Sequence, residues 1–213
     1  MGVWYAQKYA GRRQYLREVR HLDKITNIII TGVGGQGILL ASEIISEAAV
    51  HAGYDVKRSE IHGMAQRGGS VNSHIRFGKK IYSPLVMMGE CDLLLSFEKL
   101  ESLRMADFVK PDGTIIVNDQ QINPTTVASG MATYPDNIEE TLRTYFKSVI
   151  FVNALEIAKQ AGNLRTANIA LLGAASKNLN IPREIWEDAI VKRVPERAIE
   201  VNLKAFNLGL QAE

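Results

Sequence analysis

Two glycine-bearing stretches hold the residue types best suited to chemistry. Gly32-Val33-Gly34-Gly35-Gln36-Gly37 fits the spacing G-x-G-x-x-G, with the apolar run Ile28-Ile29-Ile30-Thr31 before it and a helical pattern after it. Glycines there permit a tight turn and close backbone approach, and free N–H groups at a helix start attract phosphate. The second stretch, Glu60 to Val71, places an imidazole (His62), an amide (Gln66), a guanidinium (Arg67) and the glycines Gly63, Gly68 and Gly69 in a few positions. Arg67 has the geometry to clamp a carboxylate or phosphate bidentately. Gly68 and Gly69 would expose backbone N–H groups beside it.

The glycine loop alone leaves three readings open. A dinucleotide dehydrogenase needs an acidic residue at the end of the second strand; Glu60 stands there, yet no later segment offers a hydride-transfer site. An adenylating enzyme has a similar loop, but the residues around Arg67 depart from that pattern. The plainest reading is that the glycines only allow close strand–helix packing.

The elements that must position these residues follow from periodicity. Strands are expected at Ile28–Thr31, Tyr54–Glu60, Asp92–Phe97, Thr114–Asn118 and Val149–Val152, and helices at Ile38–Ala52, Leu100–Val109, Ile138–Phe146 and Ala154–Ala161. Such alternation predicts a three-layer α/β fold with a mostly parallel sheet and a Rossmann-like glycine loop. The loop at 61–70 then lies at the carboxyl end of the second strand, where open α/β sheets hold ligands. Val71, Ser73, Ile75 and Phe77 alternate with polar residues before Gly78-Lys79-Lys80 and Ile81-Tyr82-Ser83, which predicts a projecting β-hairpin. Thr166–Leu179, Pro182–Val194 and Pro195–Leu210 read as a C-terminal helical cap, with both prolines at first turns.

Composition narrows the function classes. The 213 residues carry a net charge of +2. The basic excess sits in residues 1–24, where Lys8, Arg12, Arg13, Arg17, Arg20 and Lys24 oppose Glu18 and Asp23. That argues against nucleic-acid binding by the chain as a whole. The same arm interleaves Trp4, Tyr5, Tyr9 and Tyr15, which suits either a docking surface for something acidic or a loose extension of a domain covering 25–213. No apolar run approaches the ~20 residues of a membrane helix, and no secretory signal is visible. With Cys91 as its one cysteine, the chain fits a reducing cytoplasm. That cysteine precedes an apolar strand and should pack as a small buried residue. His62 and His74 lack companions for a metal site; His74 reads as polar-face alternation and Glu43/Glu47 as a solvated helix face. Met87-Met88 suits core or interface packing better than an aryl pocket.

G-x-G-G-Q-G-I, then Ser59 to Val71 (S-E-I-H-G-M-A-Q-R-G-G-S-V), then Tyr82-Ser83-Pro84-Leu85 resembles the gamma-type domain of 2-oxoacid:ferredoxin oxidoreductases, closest to the indolepyruvate branch. Asp92 to Glu98, Asn168 to Gly173 and Val194-Pro195 fit as well, so the resemblance covers roughly 25–210. It implies oxidative decarboxylation of an aryl pyruvate with coenzyme A, giving an aryl-acetyl-CoA, carbon dioxide and reduced ferredoxin. It also implies a large catalytic partner subunit carrying thiamine diphosphate, magnesium and 4Fe–4S clusters, in a heterotetramer of two large and two small subunits. One cysteine cannot hold a four-cysteine cluster, and there is no Gly-Asp-Gly with a downstream Asn-Asn for thiamine diphosphate. On this view Gly34, Gly35, Gln36 and Gly37 form an anion-binding turn. His62, Gly63, Met64, Gln66, Arg67, Gly68, Gly69 and Ser70 face the partner's active site, with Arg67 anchoring a substrate carboxylate or a coenzyme A phosphate.

Overall fold

A computed structural model describes residues 24–62 and 68–212. The arm expected at 1–24 therefore lies outside the described residues except for Lys24. The chain runs through β1 (Thr26–Val33), α1 (Ile38–His51), β2 (Asp55–His62), β3 (Ser70–Gly78), β4 (Cys91–Ser96), α2 (Lys99–Arg104) and β5 (Val109–Asn118). It continues through α3 (Thr125–Ala128), α4 (Ile138–Tyr145), β6 (Ser148–Val152), α5 (Ala154–Ala161), α6 (Ala167–Ser176), α7 (Arg183–Arg193) and α8 (Ile199–Leu210).

The six strands form one sheet in the order β2-β3-β1-β4-β5-β6. β1, β4, β5 and β6 are parallel neighbours, while β3 runs antiparallel to both β1 and β2. Five strands thus point the same way, as the alternation of elements predicts. Successive side chains of a strand face opposite sides, so the β-branched run of β1 feeds two cores. Ile28 and Ile30 join α1, α5 and the C-terminal helices on one face, and Ile29 joins α2 and α4 on the other.

The expected projecting hairpin is not formed. Its first half is β3, placed between β1 and β2, with Thr26 opposite Phe77 and His62 opposite Val71. The alternation of 71–77 comes from a central strand with an apolar core on one face and a chain segment on the other. Residues 79–90 make no strand; side chains hold them instead. Asp55 accepts from the Ile81 N–H (2.9 Å), Arg76 Nη1 donates to the carbonyls of Ser83 (3.1 Å) and Leu85 (3.2 Å), and His74 Nδ1 accepts from the Val86 N–H (3.1 Å). His74 is therefore buried, its pKa lowered by desolvation, and not an exposed polar alternate.

The C-terminal cap is present, built from α6, α7 and α8. α6 is buried all round, as a helix wrapped by other elements must be. It meets α8 backbone to backbone: a Cβ on Gly173 would lie 2.2 Å from the Phe206 carbonyl oxygen, and one on Gly209 2.0 Å from that of Ala170. α7 is tied to α1 by charge. Glu47 receives Lys192 and Arg193 (2.7 Å to Nη2), and Glu43 receives Arg193 (3.4 Å). The Glu43/Glu47 face is thus an ion-paired seam rather than a solvated surface, and these partners hold the Glu47 carboxyl at about 2.

Candidate functional site

The sheet reverses its winding between β1 and β4, since β1 connects to one side and β4 starts the other. Open α/β sheets leave a crevice there. The glycine turn after β1 occupies that position, and Gly35 (φ 104°) and Gly37 (φ 85°) take the left-handed backbone that favours glycine. Gly37 also lies against α6, where a Cβ would come within 2.5 Å of Asn168 Nδ2.

The turn is built around Gln36, whose side chain points inward. Its Oε1 accepts from the Val33 N–H (2.7 Å), and its Nε2 donates to the Phe97 carbonyl (2.8 Å) and to Gln120 Oε1 (3.1 Å). Asn118, at the end of β5, donates to the same carbonyl (3.2 Å) and to Gln120 (3.1 Å), while its Oδ1 accepts from Ala154 N–H at the start of α5 (3.1 Å). Three strand ends and one helix are thus joined through amide side chains.

Above this floor is a cleft of about 440 Å³ lined by Gly35, Gln36, Gly37, Asn168, Arg165 and Leu155, among others. Arg165 is exposed, and its guanidinium makes no hydrogen bond or ion pair among the described residues. The Asn168 side-chain amide is placed against Gly37, with its Oδ1 taken by the Ile169 N–H (2.9 Å). The first N–H groups of α1 lack intrahelical partners, as in any helix. The arrangement offers an anion a guanidinium, an amide and a positive helix end.

The second loop returns beside this turn. Gly34 N–H donates to the Gly69 carbonyl (2.9 Å), and Gly68 N–H to the Gly34 carbonyl (3.4 Å). Ser70 Oγ donates to Glu101 Oε2 (2.5 Å), and Arg104 Nη1 to Glu101 Oε1 (2.9 Å). Burial raises the Glu101 carboxyl above the usual carboxylate range, against the pull of Ser70 and Arg104. Glu98 caps α2 through the Glu101 N–H (3.0 Å) and receives the Tyr134 hydroxyl (2.5 Å), whose own pKa burial and Glu98 push up.

The structure therefore joins Gly34, Gly68, Gly69 and Ser70 into one unit, and Gly35 and Gly37 line the cleft. Gly63, Met64, Gln66 and Arg67 lie outside the described residues, as does the His62 side chain. Gln36 is a strut of the turn. Glu60, the acidic residue a dehydrogenase would need, faces Arg58 at 3.4 Å. Met87 and Met88 are exposed on the 79–90 segment and do not line the cleft. Sequence reasoning missed Arg165, Asn118, Gln120 and Glu101. Asn118 ends an apolar strand and Gln120 stands two residues on, at its carboxyl end, a signal that could have found them. Arg165 comes from a turn more than a hundred residues from the glycine loop and carries no local signature.

The family model for pyruvate ferredoxin/flavodoxin oxidoreductase matches residues 27–212. Indolepyruvate oxidoreductase subunit IorB of Thermococcus kodakarensis is 42% identical over 192 residues, spanning 87% of this chain and 95% of its own. The subunit of the same name from Archaeoglobus fulgidus is 41% identical over 187 residues, spanning 86% and 92%. Among solved structures, the gamma subunit of a keto/oxoacid ferredoxin oxidoreductase from Geobacter sulfurreducens superposes with a TM-score of 0.64 at 28% identity, covering 87% of this chain and 96% of that one. Pyruvate oxidoreductase subunit PORC of Thermotoga maritima, at 23% identity and TM-score 0.67 over 89% and 97%, shares the fold. The chain belongs to the pyruvate ferredoxin/flavodoxin oxidoreductase family.

Proposed function

We propose that this chain is the small subunit of a 2-oxoacid:ferredoxin oxidoreductase of the indolepyruvate type. The reading is carried by near-full-length similarity to IorB subunits. The cleft beside the glycine turn, with Arg165 and Asn168 in its lining, supports it. The reaction would consume an aryl pyruvate and coenzyme A and release carbon dioxide and an aryl-acetyl-CoA, with two electrons passing to ferredoxin. A large subunit would carry thiamine diphosphate, magnesium and 4Fe–4S clusters, which supply carbanion and electron-transfer chemistry. This chain's part is to bind and orient. Gly35 and Gly37 let a negatively charged group approach the start of α1, Asn168 offers its amide beside Gly37, and Arg165 supplies the positive charge. Arg67, which stands in the sequence between β2 and β3, is a second candidate anchor.

Single substitutions separate these anchors in the complex co-expressed with its large subunit. Losing a charged hydrogen bond to an anion costs about 1.5–3 kcal/mol, roughly 10–100-fold. Arg165→Ala and Arg67→Ala are each expected to raise KM by that order for either the 2-oxoacid or coenzyme A, and the co-substrate affected identifies the anion. Steady-state kinetics with neither KM changed in either variant would contradict the assignment.

A further inference from the structure

We propose that Glu101 is a positioning residue for this site: through Ser70 it holds the strand that re-enters at β3, and with it Gly68 and Gly69, in register with the glycine turn. The proposal rests on the reading that the carboxyl end of the sheet is the binding face.

The geometry is a relay of direct contacts. Glu101 is only 3% exposed, and its two oxygens are used differently. Oε1 is held by Arg104 on its own helix (2.9 Å), whereas Oε2 accepts from Ser70 Oγ on β3 (2.5 Å). The backbone of α2 is itself fixed at its start, because Glu98 accepts from Glu101 N–H and from Ile122 N–H (3.0 Å each) and from Tyr134. Beyond Ser70, the Gly69 carbonyl takes the Gly34 N–H and the Gly34 carbonyl takes the Gly68 N–H. Gly34 is the neighbour of Gly35, which lines the cleft.

A purely structural helix ion pair between Glu101 and Arg104 would not need the second oxygen to leave the helix. A buried carboxylate is expensive unless every lone pair finds a donor, and here a donor comes from the first residue of β3, directly after the two glycines that meet the turn. Glycine backbone has no side chain to hold its place and pays the largest ordering cost of any residue. An external clamp on the adjacent serine offsets that cost. Glu101 touches no reacting atom in this account; it acts through Ser70.

Two readouts on the co-expressed complex test this. Amide hydrogen exchange of peptides covering 32–37 reports whether the Gly34–Gly69 contact persists, independently of activity. Ser70→Ala and Glu101→Gln should each speed that exchange about tenfold or more, and Ser70→Thr, which keeps the hydroxyl on a residue suited to strands, should leave it near wild type. In kinetics the first two should raise KM for the cleft-bound co-substrate about 5–10-fold with kcat within about twofold, the pattern of lost binding, with Ser70→Thr again close to wild type. Unchanged exchange in Ser70→Ala would overturn the proposal whatever the activity. Faster exchange with both KM values unchanged would overturn Glu101 as a positioning residue for the reaction. Should Glu101→Gln fail to fold, the Ser70→Ala and Ser70→Thr pair decides alone. Failure of the functional reading is separate: a complex without 2-oxoacid turnover would leave the exchange result to stand or fall by itself.

Discussion

Side chains with reactive groups are sorted in this protein by what surrounds them. Cys91 begins β4 with no exposure, and burial pushes its thiol up to about 12. The thiolate is the nucleophile, so Cys91 should be inert in the native chain near pH 8. A thiol reagent is expected to label it only after denaturation, and stoichiometric labelling of the folded protein would contradict the burial. His74 is likewise withdrawn, spending Nδ1 on the Val86 N–H and meeting Phe108 edge-on at 5.8 Å between ring centroids. Glu101 is buried too, but its second oxygen reaches Ser70 at the start of β3, and Arg165 is left open at the cleft. Residue type did not separate these cases. Arg67 attracts attention through its glycine neighbours, whereas Arg165 sits in an ordinary-looking Asn-Leu-Arg-Thr turn, and only the fold brings it beside Gly37.

At the scale of elements, two seams hold the C-terminal cap, one by charge and one by backbone contact. Glu47 links α1 to α7 through Lys192 and Arg193. Its folded pKa of about 2 lies below the ordinary 4.5. A depressed carboxyl contributes stability that is present above its unfolded value and lost as pH falls toward its folded value. Because the two cations are partly solvated, about 1 kcal/mol is reasonable, or some 2–4 °C for a chain this size. Glu47→Gln should therefore melt lower than wild type at pH 7, with the gap closing between about pH 4.5 and 2; a constant gap would contradict the ion-pair account. The α6–α8 seam is less forgiving. Gly173→Ala places a methyl where the Phe206 carbonyl stands. Overpacking against backbone costs about 3 kcal/mol, the upper end of the usual range. Thermal melting should fall by roughly 6–12 °C, and an unchanged midpoint would show that the helices can separate freely. Nearly all of these elements were legible in the sequence, because long apolar periodicities set them. Ile38–His51 and Ala154–Ala161 stand within a residue of expectation. β3 was legible as a strand but not as a central one: alternation reports which faces are buried, not which neighbours supply the hydrogen bonds. The Glu43/Glu47 seam was hidden for a related reason, since the cations that neutralise it come from α7, far along the chain.

As a whole molecule, the described chain has three layers, with the glycine turn and the helical cap lining one crevice and Gly68 and Gly69 hydrogen-bonded to Gly34 of that turn. Among the described residues no helix is long and apolar enough to cross a membrane, and no cluster of three or more His, Cys, Asp or Glu is placed to hold a metal. Its family membership makes it a small subunit of a 2-oxoacid:ferredoxin oxidoreductase, and binding and orientation at the crevice are the part proposed for it. The glycine loop by itself is compatible with several ligands; it was the order of motifs along the chain that made the family readable. The proposed anion site needed the fold, because the residues that would form it come from α1, the 164–166 turn and α6. The most direct measurement is anaerobic turnover of indolepyruvate with coenzyme A and a ferredoxin-type acceptor, by this chain alone and co-expressed with its large subunit. The account predicts reduced acceptor and aryl-acetyl-CoA from the pair and neither from the chain alone. Turnover by the isolated chain would contradict it.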